Sequence, residues 1–234
     1  MCDISETAAK HTDSWLVSEY VDLRDANEVH LEVEFIIRQC PVGFTYCKES
    51  FNVYQLQTNR PLVSGITKAD VQSGNFTLVN AVNATRLWTP GNELHINRVN
   101  MTFAVNRGGI YIAFQDRGAC LTLISVTLSY TYCPDVINHG VVLKETVAPS
   151  SSQNYISVSG TCSDRASPYP SNITLSLTCL SSGQWVVDDK VTCVCTAGYE
   201  LIGDTCTGKY FRALDLHNVV QIIFGYDNHS LPAF

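Results

Sequence analysis

The fold class follows from one stretch, Gly109-Ile110-Tyr111-Ile112-Ala113-Phe114-Gln115-Asp116-Arg117-Gly118-Ala119-Cys120. Its alternate apolar residues Ile110, Ile112 and Phe114 predict a strand with one buried face. Asp116-Arg117-Gly118 interrupts the alternation with residues typical of a turn. A second alternating run rich in β-branched and aromatic residues follows over residues 121–132 and ends at Cys133-Pro134. The stretch therefore predicts a β-hairpin that ends in a cysteine.

Further strands are predicted on either side of this hairpin. Leu31, Val33, Phe35 and Ile37 share one face of a half-buried strand. Shorter runs predict strands near residues 15–16, 51–56, 75–82, 94–97 and 101–105, and no run shows a convincing helical period. Many short strands separated by turns, without helices between them, predict an all-β fold, an antiparallel jelly-roll β-sandwich.

Composition limits the class of protein. The chain has 234 residues, 45% of them hydrophobic, which is enough to build a core and excludes intrinsic disorder. Its net charge of −7 and the absence of any Lys/Arg run argue against nucleic acid and against an anionic membrane surface as partners.

Cysteines and glycosylation sequons together predict an oxidising, secretory compartment. The chain contains ten cysteines and five Asn-x-Ser/Thr sequons, at Asn75, Asn83, Asn100, Asn172 and Asn228. Cys40 and Cys47 lie close enough in sequence for a local disulfide to close the loop between them, which we call the clamped loop (residues 40–47). Phe44 lies within it and is expected either to pack on the sheet or to contact a partner.

A second domain is predicted after Cys133, where the composition changes to a cysteine-paced segment with Pro- and Ser-rich loops. Ser182-Gly183-Gln184-Trp185 resembles the Gly-x-Trp of a complement-control (sushi) module, whose tryptophan belongs to the core. From Lys209 onward no pattern is recognisable, and residues 207–234 are an unassigned tail.

Four motifs in series carry a family resemblance. They are Ile110 to Cys120 with its following strand, Ile36-Ile37-Arg38-Gln39-Cys40, the run from Cys47 to Tyr54, and the run from Cys193 to Glu200. In this order they closely resemble the ephrin-binding domain and adjoining cysteine-rich region of Eph receptors, over roughly residues 1–206. The resemblance implies an ephrin-binding-like domain over residues 1–134 that lacks its first strands, a sushi-like module over 135–194 and the start of an EGF-like module over 195–206.

The resemblance also implies the cysteine pairing and the binding residues. The implied disulfides are Cys2–Cys120, Cys40–Cys47, Cys133–Cys179, Cys162–Cys193 and Cys195–Cys206. In the family a hydrophobic ligand loop enters a channel on one face of the sandwich, where a receptor arginine meets an acidic ligand group. The implied binding residues are Arg38, Ile36, Phe44, Thr122, Ile124 and Leu94.

The expected function is therefore recognition of ephrins on neighbouring cells, with self-association through the cysteine-rich region as a further possibility. The expected location is the extracellular side of the plasma membrane. The N-terminus shows no signal peptide and no segment reaches the roughly 20 apolar residues of a membrane span, so we expect the chain to be a fragment of a longer protein or an incomplete gene model.

Catalytic and metal-binding patterns are absent from the sequence. No Gly-x-Ser-x-Gly elbow, phosphate-binding loop or kinase signature occurs, and the histidines form no pair at metal-binding spacing. We expect no enzyme activity, cofactor or metal in this chain. The alternative function is a soluble secreted adhesion or carbohydrate-binding module, with Trp88, Asn92 and Asn97 as a candidate sugar platform.

Overall fold

The computed structural model describes residues 11–63, 65–186, 191–216 and 219–225, and it forms two compact units. The described residues of the first unit are 11–63, 65–131 and 149–151, and those of the second are 132–148, 152–186, 191–216 and 219–225. Strands dominate both units, as the sequence predicts. The first unit contains β1 (Ser14–Val17), β2 (Val21–Asp22), β3 (Glu28–Ile37), β4 (Ser50–Thr58), β5 (Thr77–Asn83), β6 (Asn97–Ala104), β7 (Gly109–Asp116) and β8 (Leu121–Ser129).

Two antiparallel sheets form the first unit. The first sheet has the order β1-β7-β4-β5, with β2 also paired to β7, and the second has the order β6-β3-β8. Both sheets contribute to the core, where the Phe51 ring lies 5.0 Å from Phe35 of the second sheet and 6.2 Å from Phe114 of the first. This packing of two antiparallel sheets confirms the predicted β-sandwich. The predicted hairpin is wrong, however, because β7 pairs with β1 and β4 in the first sheet whereas β8 pairs with β3 in the second.

Strand β3 shows how the alternation determines the sandwich. Leu31, Val33, Phe35 and Ile37 are almost completely buried, as predicted, while the residues between them lie on the outer face of the second sheet, which we call the open face. A β-bulge interrupts the β3–β8 pairing between Glu34 and Phe35. A bulge locally bends the strand and reorients its side chains, so it alters the surface close to where β8 begins.

A short helix, α1 (Lys68–Gln72), lies in a segment that the sequence analysis left without secondary structure. Thr67 caps it, since the Thr67 hydroxyl accepts from the Asp70 N–H while the Asp70 carboxylate accepts from the Thr67 N–H. Val71 of the helix packs with Tyr111 and Ala113, on the face of the first sheet that points away from the sandwich core. A helix of five residues is too short to show a period of 3.6 residues.

One predicted strand is wrong. Leu94 and Ile96 alternate with polar residues, but no strand begins until Asn97, and both side chains are exposed, by 60% and 56%. The segment forms part of the connection between β5 and β6. An alternating segment forms a strand only where it can pair with a neighbouring strand. Here the pairing with β3 begins at Asn97, the first residue of β6, so residues 94–96 have no strand partner.

The second unit is a set of small antiparallel sheets. Its strands are β9 (Tyr132–Cys133), β10 (Val136–Asn138), β11 (Val141–Leu143), β12 (Thr146–Val147), β13 (Tyr155–Ser159), β14 (Thr161–Cys162), β15 (Ala166–Tyr169), β16 (Ser176–Leu180), β17 (Trp185–Val186), β18 (Thr192–Cys195), β19 (Tyr199–Ile202), β20 (Thr205–Gly208), β21 (Tyr210–Leu216) and β22 (Val219–Gly225). The last two form a hairpin within the tail that matched no sequence pattern.

Disulfides and one tryptophan hold the second unit together. Trp185 packs against two apolar clusters, around Leu177 and around Cys179, and its Nε1 donates to the Pro134 carbonyl at 2.7 Å. The structure contains the bridges Cys133–Cys179, Cys162–Cys193 and Cys195–Cys206, and in the first unit Cys40–Cys47. These are the pairs that the resemblance implies. Cys120 is disulfide-bonded, and its implied partner Cys2 lies outside the described residues.

Candidate ligand-binding site

Three of the stretches singled out in the sequence meet at the end of β3. The Arg38 N–H, just before the clamped loop, donates to the Cys120 carbonyl at 3.1 Å. The Lys48 N–H, just after the clamped loop, donates to the Gly118 carbonyl at 3.1 Å. Both ends of the clamped loop are therefore tied by backbone hydrogen bonds to the turn that precedes β8.

The turn itself is fixed by Asp116. One carboxylate oxygen of Asp116 accepts from the Gly118 and Ala119 N–H groups, at 2.9 and 2.6 Å. Burial raises the pKa of Asp116 above its usual range, although these two hydrogen bonds act in the opposite direction. The carboxylate thus gives a defined position to Cys120 and, through its carbonyl, to Arg38.

Arg38 has an aromatic neighbour that the sequence did not indicate. The Trp88 N–H donates to the Ile37 carbonyl at 2.9 Å, and the Gln39 N–H donates to the Trp88 carbonyl at 2.8 Å, so Trp88 lies beside the end of β3. The Arg38 guanidinium carbon lies 6.0 Å from the centre of the Trp88 ring. This distance is at the outer limit of a cation–π contact, which orients the guanidinium without neutralising its charge.

The connection that carries Trp88 is held by a buried amide. Asn97 is only 5% exposed, and its Oδ1 accepts from the Thr85 N–H, the Thr85 hydroxyl and the Arg86 N–H at 2.9–3.0 Å. Its Nδ2 donates to the Arg86 carbonyl at 2.9 Å. Sequence reasoning missed this role, although Asn97 is on the same face of β6 as Val99 and the buried Met101, and a polar residue on that face was the available signal.

These contacts rule out the predicted sugar-binding platform. The expectation that Trp88, Asn92 and Asn97 present a ring flanked by free amides is wrong, because Asn97 is buried and all its contacts go to the backbone and hydroxyl of residues 85–86. The Trp88 Nε1 donates to the Asn92 carbonyl at 3.2 Å, within its own loop.

The other implied binding residues lie around Arg38 in two groups. Ile36 and Thr122 face each other across the β3–β8 pairing on the open face, and Ile124 is the extra residue of the β-bulge, 47% exposed. Phe44, 37% exposed, lies on the clamped loop, and Leu94 lies on the connection that carries Trp88. The structure thus brings Ile36, Arg38 and Thr122 to one end of the open face, while Phe44 is exposed on the clamped loop and Leu94 on the connection between β5 and β6.

Next to this group the open face carries a compact ionic cluster. The Arg98 guanidinium binds the Glu34 carboxylate, with Nε donating to Oε1 at 2.9 Å, and the Ser125 hydroxyl donates to the other carboxylate oxygen at 2.9 Å. The hydrogen bond from Arg98, followed by that from Ser125, lowers the pKa of Glu34. Glu34 therefore stays ionised and paired with Arg98. Arg38, by contrast, forms no ion pair with a carboxylate among the described residues.

The remaining predicted positions are exposed or lie outside the described residues. Asn75, Asn83, Asn100 and Asn172 are exposed, and Asn228 lies outside the described residues. Within the described ranges no group of three or more His, Cys, Asp and Glu side chains is arranged to hold a metal ion. The same ranges contain no helix with the length and hydrophobicity needed to cross a membrane.

Comparison with known families agrees with this geometry. A model described as ephrin receptor ligand binding domain matches residues 1–133, which include β1 to β8 and the Arg38 group. The chain belongs to the ephrin receptor ligand binding domain family. A second model of the ephrin receptor architecture, described as ephrin cysteine rich domain, matches residues 134–195. Neither of these two models describes a catalytic domain.

Individual ephrin receptors are similar to the chain over most of its length. Ephrin type-B receptor 2 of Gallus gallus is 30% identical over 89% of this chain and 21% of the receptor. Ephrin type-A receptor 7 of Gallus gallus is 28% identical over 88% and 20%, and ephrin type-A receptor 8 of Homo sapiens is 29% identical over 87% and 20%. The chain spans about a fifth of the length of these ephrin receptors.

Proposed function

We propose that this chain is a ligand-binding ectodomain segment of an Eph-type receptor, which binds ephrins on neighbouring cells from the extracellular side of the plasma membrane. Recognition, not catalysis, is its function. We further propose that residues 1–134 bind the ligand, and that residues 135–194 and 195–206 are sushi-like and EGF-like modules through which receptors self-associate. The family match and the ephrin receptor relatives support the ligand class.

The observation that carries the proposal is the placement of Arg38. Backbone hydrogen bonds to Cys120 and Trp88 fix the main chain on both sides of its side chain, and the Trp88 ring lies beside the guanidinium. A cation held in this way loses little conformational freedom when it pairs with a ligand carboxylate. Guanidinium–carboxylate hydrogen bonds are among the stronger polar contacts in proteins.

Apolar surface next to Arg38 suits an apolar ligand segment. Ile36 and Thr122 pair with each other at the end of β3, and Ile124, Phe44 and Leu94 are exposed on β8, on the clamped loop and on the connection that carries Trp88. Exposed large apolar side chains grouped beside a charged residue are typical of protein interaction sites. We propose that the ligand inserts an apolar loop over this surface and places an acidic group at Arg38.

The test is the binding of a panel of ephrin ectodomains to the chain secreted from animal cells, compared with Arg38→Glu and with a matched control, Arg107→Glu. Arg107 is an exposed arginine in the turn between β6 and β7, at the opposite end of β6 from Asn97. Hydrogen bonds to charged groups contribute about 1.5–3 kcal/mol, so we expect Arg38→Glu to weaken binding by at least about tenfold. Arg107→Glu should leave binding unchanged.

Two outcomes contradict different parts of the proposal. If the folded, monodisperse chain binds no ephrin, the function is wrong even though the family is correct. If it binds an ephrin and Arg38→Glu binds equally well, the ligand class stands but the site is elsewhere on the surface.

A further inference from the structure

Strand β5 forms an edge of the first sheet and, apart from a register shift at Val79 in its pairing with β4, has little of the usual protection of such an edge. Its sequence, Thr77-Leu78-Val79-Asn80-Ala81-Val82-Asn83, contains no charged residue and no proline, and Leu78 is 55% exposed. An edge strand presents unpaired backbone groups that can pair with a strand of another molecule. Charges and prolines are the common means of preventing this, and β5 has neither.

Sequons stand at both ends of this strand. Asn75-Phe76-Thr77 begins two residues before β5, and Asn83 is its last residue, in the sequon Asn83-Ala84-Thr85. Both asparagines are exposed. A third sequon, Asn100-Met101-Thr102, lies within β6, which is an edge of the second sheet, and Asn100 is exposed on the open face directly across from Glu32.

All three sequons lie on the same side of the sandwich. Strands β5 and β6 contact each other, so the edges of the two sheets that carry sequons are neighbours. The opposite edges, β1 and β8, contain no asparagine. Between β1 and β8 lies instead an open pocket of about 360 Å³, lined by Leu16, Phe114, Leu123 and other apolar residues together with Ser14 and Asp116.

We propose that Asn75, Asn83 and Asn100 carry N-linked glycans and that these glycans prevent strands β5 and β6 from pairing with another molecule. In this modification the side-chain amide nitrogen of asparagine bonds to the anomeric carbon of an oligosaccharide. The bond from that carbon to a lipid pyrophosphate donor breaks, the pyrophosphate leaves, and the amide loses one proton. Strand pairing requires another chain within about 4.8 Å of the edge, and a bulky hydrated glycan at each end of β5 obstructs that approach.

The proposal concerns a different side of the molecule from most of the proposed ephrin site. Thr122 and Ile124 belong to β8, while Asn75 and Asn83 flank β5 at the far end of the other sheet; Asn100 is on the open face, but on β6, which β3 separates from β8. Failure of one proposal therefore does not imply failure of the other.

The sequons must be removed at asparagine rather than at threonine. The Thr85 hydroxyl donates to Asn97 at 2.9 Å and the Thr102 hydroxyl is within 3.0 Å of His30 Nδ1, so replacing these threonines would also disturb the fold. The test variant is the triple substitution Asn75→Gln, Asn83→Gln, Asn100→Gln. Asn80→Gln is the matched control, because Asn80 is exposed on β5 and is not in a sequon.

The first measurement is glycopeptide mass spectrometry on the chain secreted from animal cells, in which we expect all three asparagines to be modified. The second is light scattering after size exclusion over about a hundredfold range of concentration. We expect the wild type and Asn80→Gln to remain monomeric and the triple variant to self-associate. Adding Leu78→Lys to the triple variant should restore the monomer, because a charge then lies on the β5 edge.

Trimming the glycans from the already folded glycoprotein with an endoglycosidase tests whether they prevent self-association, separately from any effect of the substitutions on folding. The trimmed protein should also self-associate. Unmodified asparagines in the secreted protein would overturn the modification. The protective role would be overturned if the three asparagines are modified and yet both the trimmed protein and the triple variant stay monomeric.

Discussion

The replacement Asn97→Ala tests how the candidate site is built. Asn97 makes four hydrogen bonds to residues 85–86 from a position that is 5% exposed, three of them to its Oδ1 and one from its Nδ2. Alanine removes all four and leaves two backbone N–H groups and one carbonyl without their partner. Trp88 lies two residues after this segment, so the perturbation reaches the neighbour of Arg38 without altering either residue.

The expected loss of stability is substantial. A hydrogen bond contributes about 1 kcal/mol net, and leaving a buried partner unsatisfied costs about 1–3 kcal/mol. Water can reach part of the segment, because Thr85 and Arg86 are themselves exposed. We therefore expect Asn97→Ala to lower the free energy of unfolding of the first unit by about 2–4 kcal/mol, which for a domain of this size lowers Tm by roughly 10 °C.

Two assays report on different consequences of the change. Urea unfolding measures the global loss, and Asn80→Ala, which removes an exposed amide from β5, is the control that should change it by less than about 0.5 kcal/mol. Native-state hydrogen exchange of a peptide covering residues 84–88 measures the local loss of protection. If Asn97→Ala unfolds at the same urea concentration as the wild type and those amides exchange at the same rate, Asn97 does not hold this segment and our account of the site is wrong.

Two further predictions concern packing and pH. In Gly109→Ala the added Cβ would lie 2.2 Å from Tyr20 Cζ, so the ring must move and urea unfolding should show a loss of about 1–3 kcal/mol, whereas Gly108→Ala, with its nearest atom at 3.7 Å, should cost little. Hydrogen bonds from Arg98 lower the pKa of Glu34 in the folded state, so this carboxylate contributes stability above its unfolded pKa of about 4.3, which is lost as the pH falls through the folded-state value. Urea midpoints measured from pH 7 to pH 2 should therefore fall less steeply below about pH 4.3 in Arg98→Ala than in the wild type.

The buried faces of the strands were the part of the fold most accessible from sequence. The period of two over β3 identified Leu31, Val33, Phe35 and Ile37, and burial confirms all four. Such a pattern is readable in β3 because its outer face stays partly exposed, whereas both faces of β7 are buried and the single buried face predicted for Ile110, Ile112 and Phe114 is wrong. Helix α1 could not be found in this way, since its position depends on a capping box and on Val71 packing against the outer face of the first sheet.

The contacts of the candidate site were less accessible, because they join residues far apart in the chain. Arg38 and Trp88 are separated by fifty positions, and their contact depends on the backbone hydrogen bonds at Ile37 and Gln39. An arginine at position 38 does not indicate that a tryptophan lies beside it, and Trp88 does not indicate an arginine neighbour. The family resemblance drew attention to Arg38, but neither it nor the strand pattern predicted a contact between Arg38 and Trp88.

The wrong strand prediction bears on function. Leu94 and Ile96 alternate as if one face were to be buried, yet both are largely exposed on the connection that also carries Trp88. Exposing two large apolar side chains forgoes the roughly 1.5–3 kcal/mol that burial of each would contribute. Segments whose sequence pattern disagrees with their structure are expected mainly at functional sites. That this disagreement falls on the connection whose Trp88 lies beside Arg38, and not at a remote turn, favours a ligand that covers Leu94 and Ile96 when it binds.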